Sequence, residues 1–233
     1  MVVRENEQKG LNLNINKCYS LVVTKKPQPP NCIVKIKGKD IQQKNSFEYL
    51  GSLITSDARS DKEILRRIGI AKAAFASMER VLTSRNINAN TRIRVLKCYV
   101  WSTLLYGCES WTISHSMKER LEAVELWFLR RMWKIPWTAR MSNERVLETA
   151  RTEKTLMKTV TSRQASFFGH VIRKGEMEHL VTTAKIEGRR ARGRQRMTYT
   201  ESLCGRMDVQ KMDMVRAATD RKVWKAMTAN VSI

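Results

Sequence analysis

At residue 60 the periodicity of this 233-residue chain changes, and the change limits what each part can fold into. Before it, apolar residues alternate with polar ones. Leu11, Leu13 and Ile15 are separated by asparagines, residues 21–24 are β-prone, and Val34 and Ile36 alternate with Lys35 and Lys37 before the turn Lys37-Gly38-Lys39-Asp40. A period of two marks half-buried strands, and Pro27, Pro29 and Pro30 interrupt the run because proline cannot donate to a ladder. A hairpin and one more strand through Tyr49 and Leu53 follow. Beyond residue 60 the apolar positions recur every three or four residues, as in Ile64, Ile68, Ala71, Phe75, Met78 and Leu82. That spacing puts one apolar stripe on a helix. The expected fold class is therefore mainly α with a small N-terminal β part.

Helix ends are marked by capping chemistry. Ser60-Asp61-Lys62-Glu63 reads as a capping box opening a helix over 61–82, and a second helix spans 91–106 with Gly107 as its stop. Ser116-Met117-Lys118-Glu119 reads as a second box, opening a helix that carries Leu121, Val124, Phe128 and Met132 and ends before Pro136. Short links between three amphipathic helices predict an antiparallel bundle. Helices over 143–150 and 153–173, the latter closed by Gly175, and a terminal helix over 211–229 complete the pattern. Residues 176–197 read as a mobile basic loop. The expected organisation is a β part over 1–58, a helical bundle over 59–138 and a helical C-terminal region over 139–233.

The charge balance narrows the partner. Lys and Arg number 44 against 22 Asp and Glu, giving a net charge of +22. Such an excess attracts a polyanion, with nucleic acid first among them. Cys18, Cys32, Cys98, Cys108 and Cys204 include no Cys-x-x-Cys pair, and His115, His170 and His179 add no ligand spacing, so neither a disulfide framework nor a metal site is expected. Residues 1–10 lack the apolar core of a signal peptide, and the uncharged run 98–108 is too short to span a bilayer. The reading is a protein of the nucleus or cytoplasm, not secreted and without a membrane partner.

Candidate contacts follow the basic residues. Lys62, Arg66, Arg67 and Lys72 read as one flank of the first helix, able to follow a phosphate backbone. Arg189, Arg190, Arg192, Arg194 and Arg196 form the densest charge, with Gly188 and Gly193 freeing the backbone, and suit phosphate forks or nuclear import. Trp133 and Trp137 flank Pro136 beside Arg130, Arg131, Lys134 and Arg140, a mixed aromatic and basic turn. Trp101 and Trp127 read as core, and His170 as structural.

Motifs along the chain carry a resemblance. Gly10-Leu11-Asn12-Leu13-Asn14-Ile15-Asn16-Lys17 and Phe47-Glu48-Tyr49-Leu50-Gly51 are similar to the end of the palm of a non-LTR (LINE-type) retrotransposon reverse transcriptase. Leu105-Tyr106-Gly107-Cys108-Glu109-Ser110-Trp111, Ile135-Pro136-Trp137, Phe168-Gly169-His170 and Gly188-Arg189-Arg190-Ala191-Arg192-Gly193-Arg194 follow in the order seen in the RTE and BovB group of these elements. The resemblance implies a palm remnant, a helical thumb and a basic tail. It implies that Lys17 is a relic of a lysine beside the departing pyrophosphate, and that Tyr49 and Gly51 touch a primer, where glycine admits a close backbone approach.

The family holds two Mg²⁺ ions with clustered aspartates about 3.5 to 4 Å apart from metal to metal. Asp40, Asp57, Asp61, Asp208, Asp213 and Asp220 include no neighbours, so Mg²⁺ would belong to an upstream palm and no catalysis is expected. The implied partners are the phosphate backbone of RNA or DNA and the remaining polymerase. Two other readings stay open: a helical protein-interaction module kept by a host, and a translated relic without function.

Overall fold

The computed structural model describes residues 10, 13–26, 28–183, 193 and 195–229. The chain divides into two compact units, Met1–Glu63 and Ile64–Ile233. The fold is mainly α with a small N-terminal β part, as the periodicity predicts.

In the first unit β1 (Val34–Ile36) pairs antiparallel with β2 (Lys39–Ile41), and β3 (Ser46–Tyr49) with β4 (Ser52–Thr55). Each turn has two residues, and all four have positive φ: Lys37 and Gly38 at 51° and 77°, Leu50 and Gly51 at 47° and 78°. Such turns match the right-handed twist of paired strands. The strand expected to run through Tyr49 and Leu53 is thus two strands folded back at Leu50-Gly51.

Strands expected over 13–24 do not form. Ile15–Lys17 is a 3-10 turn, with the Asn14 side chain accepting from the Asn16 amide. Asparagine side chains compete with a ladder by bonding nearby backbone. A parallel bridge between Ser20 and Gln43 and a hydrogen bond from the Thr24 amide to the Ser56 carbonyl at 2.9 Å tie this stretch to the hairpins. Gln43 also clasps the proline-rich segment, accepting from the Cys32 amide at 2.7 Å and donating to the Pro30 carbonyl at 3.0 Å. Leu11 and Pro27 lie outside the described residues.

The single helix expected over 61–82 is two, α1 (Asp61–Ser77) and α2 (Glu79–Leu82), because Met78 leaves helical geometry at φ −107° and ψ 7°. Glu63 is buried, and its carboxylate accepts from the Leu53 amide at 3.0 Å. In the second unit α3 (Ala89–Val95) continues through a π-helical stretch, Leu96–Trp101, into α4 (Ser102–Leu104). Gly107, at φ 70°, follows. The next helix, α5 (His115–Met132), is capped by Ser114 rather than Ser116, with Ser114 Oγ accepting from the Met117 amide. Next come α6 (Asn143–Ala150) and α7 (Leu156–Lys174). A short helix, α8 (Met177–Thr183), occupies the start of the expected loop. Then α9 (Tyr199–Met207) precedes α10 (Lys211–Thr219) and α11 (Arg221–Ala229), which replace one terminal helix. The break lies at Asp220, whose carboxylate accepts from the Lys222 and Val223 amides.

The long helix α7 serves two cores. Leu156 and Val160 join Ile64, Phe75, Leu104, Leu121 and Phe128 in one cluster. Ala165, Phe168 and Ile172 join Leu203, Met214 and Trp224 in another. The boundary expected near residue 138 falls inside this unit, where Leu126 and Leu129 of α5 pack with Val146 and Ala150 of α6.

Between the two halves of α7 sits Gln164, fully buried. Its Nε2 donates to the carbonyls of Cys108 and Trp111 at 2.6 and 2.9 Å. Its Oε1 accepts from Arg206 Nη2, while Arg206 also donates to Thr161 and Ser202. Ser202 Oγ donates to the Ile113 carbonyl at 2.9 Å.

The start of α7 has no local cap. Instead Glu125 of α5, buried, accepts from the amides of Thr155 and Leu156 at 2.8 and 3.0 Å. A carboxylate there satisfies orphan donors and complements the helix dipole. Burial pushes the Glu125 carboxyl above its ordinary 4.5, outweighing the two amides that pull it down. A raised folded-state value means that the protonated form favours folding; the stability it gives is complete at low pH and is lost as pH rises through the folded value. Glu125→Gln keeps one acceptor and cannot ionise. In urea melts the variant is expected to gain on the parent chain as pH rises from about 4 toward neutrality, across the raised carboxyl range. A difference independent of pH would contradict this.

The Trp224 indole lies on α7, donating from Nε1 to the Ala165 carbonyl at 3.0 Å. Gly169 makes this approach possible, since a Cβ there would overlap Trp224 Nε1 and Cδ1 and meet Arg173 Nη1 at 2.9 Å. Alanine in a helix interior is worth up to about 1 kcal/mol over glycine, whereas overpacking costs about 1–3 kcal/mol. Gly169→Ala is therefore expected to destabilise, while Gly205→Ala, where a Cβ meets nothing within 4 Å, is expected to stabilise. Chemical denaturation of both variants checks the opposite signs.

Candidate nucleic-acid interface

The aromatic and basic residues near the C-terminal end of α5 follow from helical spacing. Trp127, Arg130, Arg131 and Lys134 sit at intervals of three and four, hence on one side of the helix and its exit. Phe75 of α1 stacks on Phe128 at 5.4 Å and meets Trp127 edge-on at 5.7 Å. Lys72, three residues before Phe75, is thereby carried to the same indole. Its Nζ lies 5.0 Å from the Trp127 ring centroid, and Arg131 Cζ lies 5.4 Å from it. Both are exposed and within cation–π range, which favours their charges while leaving them open to a phosphate. Trp127, expected in the core, is half-buried: packed on phenyl rings and bordered by cations.

The chain then turns. Trp137 is 84% exposed, and the Arg130 guanidinium lies 5.7 Å from its ring. Arg130 Nη2 donates to the Met141 carbonyl and to Asn143 Oδ1, tying the turn to the start of α6. Lys134 and Arg140 have positive φ, 55° and 47°, and are exposed. Arg130 and Arg131 also sit in the last turn of α5, where cations offset the helix dipole. Of the mixture read from the sequence, Arg130 meets Trp137 and Arg131 joins Lys72 at Trp127, whereas the Trp133 ring lies against the buried Arg92.

The expected flank of α1 is not one surface. At 100° per residue Lys62 and Arg66 share a side while Arg67 and Lys72 diverge. Lys62 is exposed and Arg66 half-buried. Arg67 is buried, its guanidinium 4.5 Å from the Tyr106 ring centroid. The placement of Arg67 on an open flank is corrected: it is a packing residue.

Gly51 is held at positive φ by its hairpin turn, which accounts for glycine without a ligand, and Tyr49 beside it is exposed. Lys17 is exposed at the 3-10 turn. Arg189, Arg190, Arg192 and Arg194 lie outside the described residues; Arg196 is described and exposed. His170, read as structural, faces solvent, whereas Phe168 and Gly169 are buried.

Arg92 was not legible as a key residue. It is buried, donating from Nη1 to the last carbonyls of α2 and α5, those of Leu82 and Met132, each at 3.2 Å. Its guanidinium also lies 5.0 Å from the Trp133 ring. The thiol of Cys108 is buried and pushed up to about 12 by desolvation and by Glu109, so it is inert as a nucleophile near neutral pH. Among the described residues no group of three or more His, Cys, Asp and Glu side chains could hold a metal ion, and no helix is long and apolar enough to cross a membrane. The aspartates do not fit a two-metal centre.

No protein-family model matches the chain, and no solved structure matches it. The chain is similar to an uncharacterized transposon-derived protein of Caenorhabditis elegans, with 27% identity over 195 residues covering 78% of this chain and 70% of that one.

Proposed function

We propose that this chain is the C-terminal part of the reverse transcriptase of a non-LTR, RTE-like retrotransposon, and that it binds RNA or primer–template through phosphate contacts without catalysing polymerisation. The transposon-derived relative supports the mobile-element origin. The order of the palm, thumb and tail motifs supports the polymerase assignment. The observation that carries the binding role is the convergence of Lys72 and Arg131 on the half-buried Trp127, with the exposed Trp137 and its neighbouring cations one turn further on. Cations held over aromatic planes give phosphate contacts and base stacking together, which is how strands are bound without regard to sequence.

The β part fits this reading. Ile41 is its one buried apolar residue among those described, while Val23, Ile33 and Leu50 are exposed. A layer that buries so little is suited to packing within a larger palm.

Binding to a labelled RNA strand should weaken steeply with salt. Replacing Lys72 and Arg131 together with glutamine should lower the slope of log K against log salt by about 1.4, about 0.7 for each phosphate that is no longer neutralised on a single strand. Arg67→Gln, which removes a packing residue, should leave that slope unchanged. A primer–template with Mg²⁺ should not be extended by the chain alone. Salt-independent affinity, or extension above background, would overturn the proposal.

A further inference from the structure

The outer face of α7 carries a second basic stripe. Arg163, Phe167, His170 and Arg173 recur at helical spacing, with Ser166 between the first two, on the side opposite the buried Gln164, Phe168 and Ile172. This stripe forms the floor of an open cleft of about 690 Å³. Glu109, from the 3-10 turn Cys108–Ser110, and Arg221, the first residue of α11, also line it. The volume lies within the range of small-ligand sites.

The cleft's walls are held by backbone contacts from the same side chains. Arg173 Nη1 donates to the Ala218 carbonyl at 2.9 Å, and Arg163 Nη1 reaches the Leu105 carbonyl at 3.4 Å. Each guanidinium has further donors in its fork. Three guanidinium groups facing one carboxylate leave the concavity with excess positive charge. A cleft lined by one sign focuses its field, and an anion entering it relieves the repulsion.

We infer that this cleft seats a nucleotide of single-stranded nucleic acid, the arginines holding its phosphates, Phe167 stacking on its base and Glu109 accepting from a base amine or sugar hydroxyl. Phe167 is 42% exposed, so an aromatic face is available beside the charges. An unstacked strand can insert a base into such a concavity, whereas a duplex keeps its bases paired and stacked inside. The inference deepens the proposed nucleic-acid binding by adding a seat separate from the Trp127 cluster, and it rests on that reading.

Fluorescence anisotropy with a labelled oligouridine of about 12 nucleotides, within the usual single-strand site size, tests it on the full chain. Arg163→Gln with Arg221→Gln is expected to lower the salt slope by about 1.4. Phe167→Ala is expected to weaken binding about 5- to 150-fold with the slope unchanged, matching removal of one stacked base. Unchanged affinity in both variants, or an equal loss for a duplex of the same length, would overturn the assignment. So would adenosine monophosphate binding the cleft as tightly as the strand does, which would make the ligand a free nucleotide. The paired replacement of Lys72 and Arg131 serves as the reference. If it weakens strand binding while the cleft variants do not, the cleft inference falls and the proposed function stands; if none of them weakens binding, both fall.

Discussion

The helical unit depends on one buried amide. Gln164 lies midway along α7, where the helix passes from one apolar cluster to the next, and there it holds two carbonyls of the Cys108–Trp111 turn while accepting from Arg206. Leaving a buried acceptor unpaired costs about 1–3 kcal/mol, so an apolar residue at this position would expose several unmet groups at once. Arg206 and Ser202 extend the same network to α9 and to the Ile113 carbonyl. The turn around Gly107, the middle of α7 and helix α9 are thereby specified together. Apolar packing alone would tolerate small shifts between them; a network with directional donors does not.

With the interior fixed in this way, the exterior can carry its charge in patterned form. A net charge of +22 works against compaction through self-repulsion. The fold places part of that charge where it meets aromatic rings or helix ends: Lys72 and Arg131 at Trp127, Arg67 at Tyr106, Arg92 at the ends of α2 and α5. These arrangements separate two kinds of basic residue. Arg67 and Arg92 are buried and support packing, whereas Lys72 and Arg131 are exposed and available to a polyanion. Composition alone counts them all alike.

The sequence was most legible where one local rule decided the outcome. Helix α6 matches its expected bounds because its apolar positions and its polar entry agree, and Gly175 caps α7 at positive φ, whereas the helix before Gly107 already ends at Leu104. Helix α9 could have been found from Thr198 and Glu201, which form a complete capping box. The strand expected over 11–15 failed where described because asparagine offered the backbone a local alternative. Arg67 was misplaced because charge suggested exposure, although its angle on α1 points away from Lys62. Gln164, Glu125 and Arg92 were out of reach: each acts on backbone groups 30 or more residues away, a relation that no periodicity encodes. The stripe from Arg163 to Arg173 was present in the spacing of α7, but the stronger apolar period of the same helix concealed it.

The central claim is that the exposed end of α5, and not the Tyr49 hairpin, is a working surface for nucleic acid. Photo-crosslinking of the full chain to a strand carrying 4-thiouridine, followed by peptide mapping, tests it most directly. The account predicts adducts on peptides containing Trp127 to Trp137, with or without further adducts on the outer face of α7. Adducts confined to the hairpin around Tyr49, or spread evenly over all basic peptides, would contradict it.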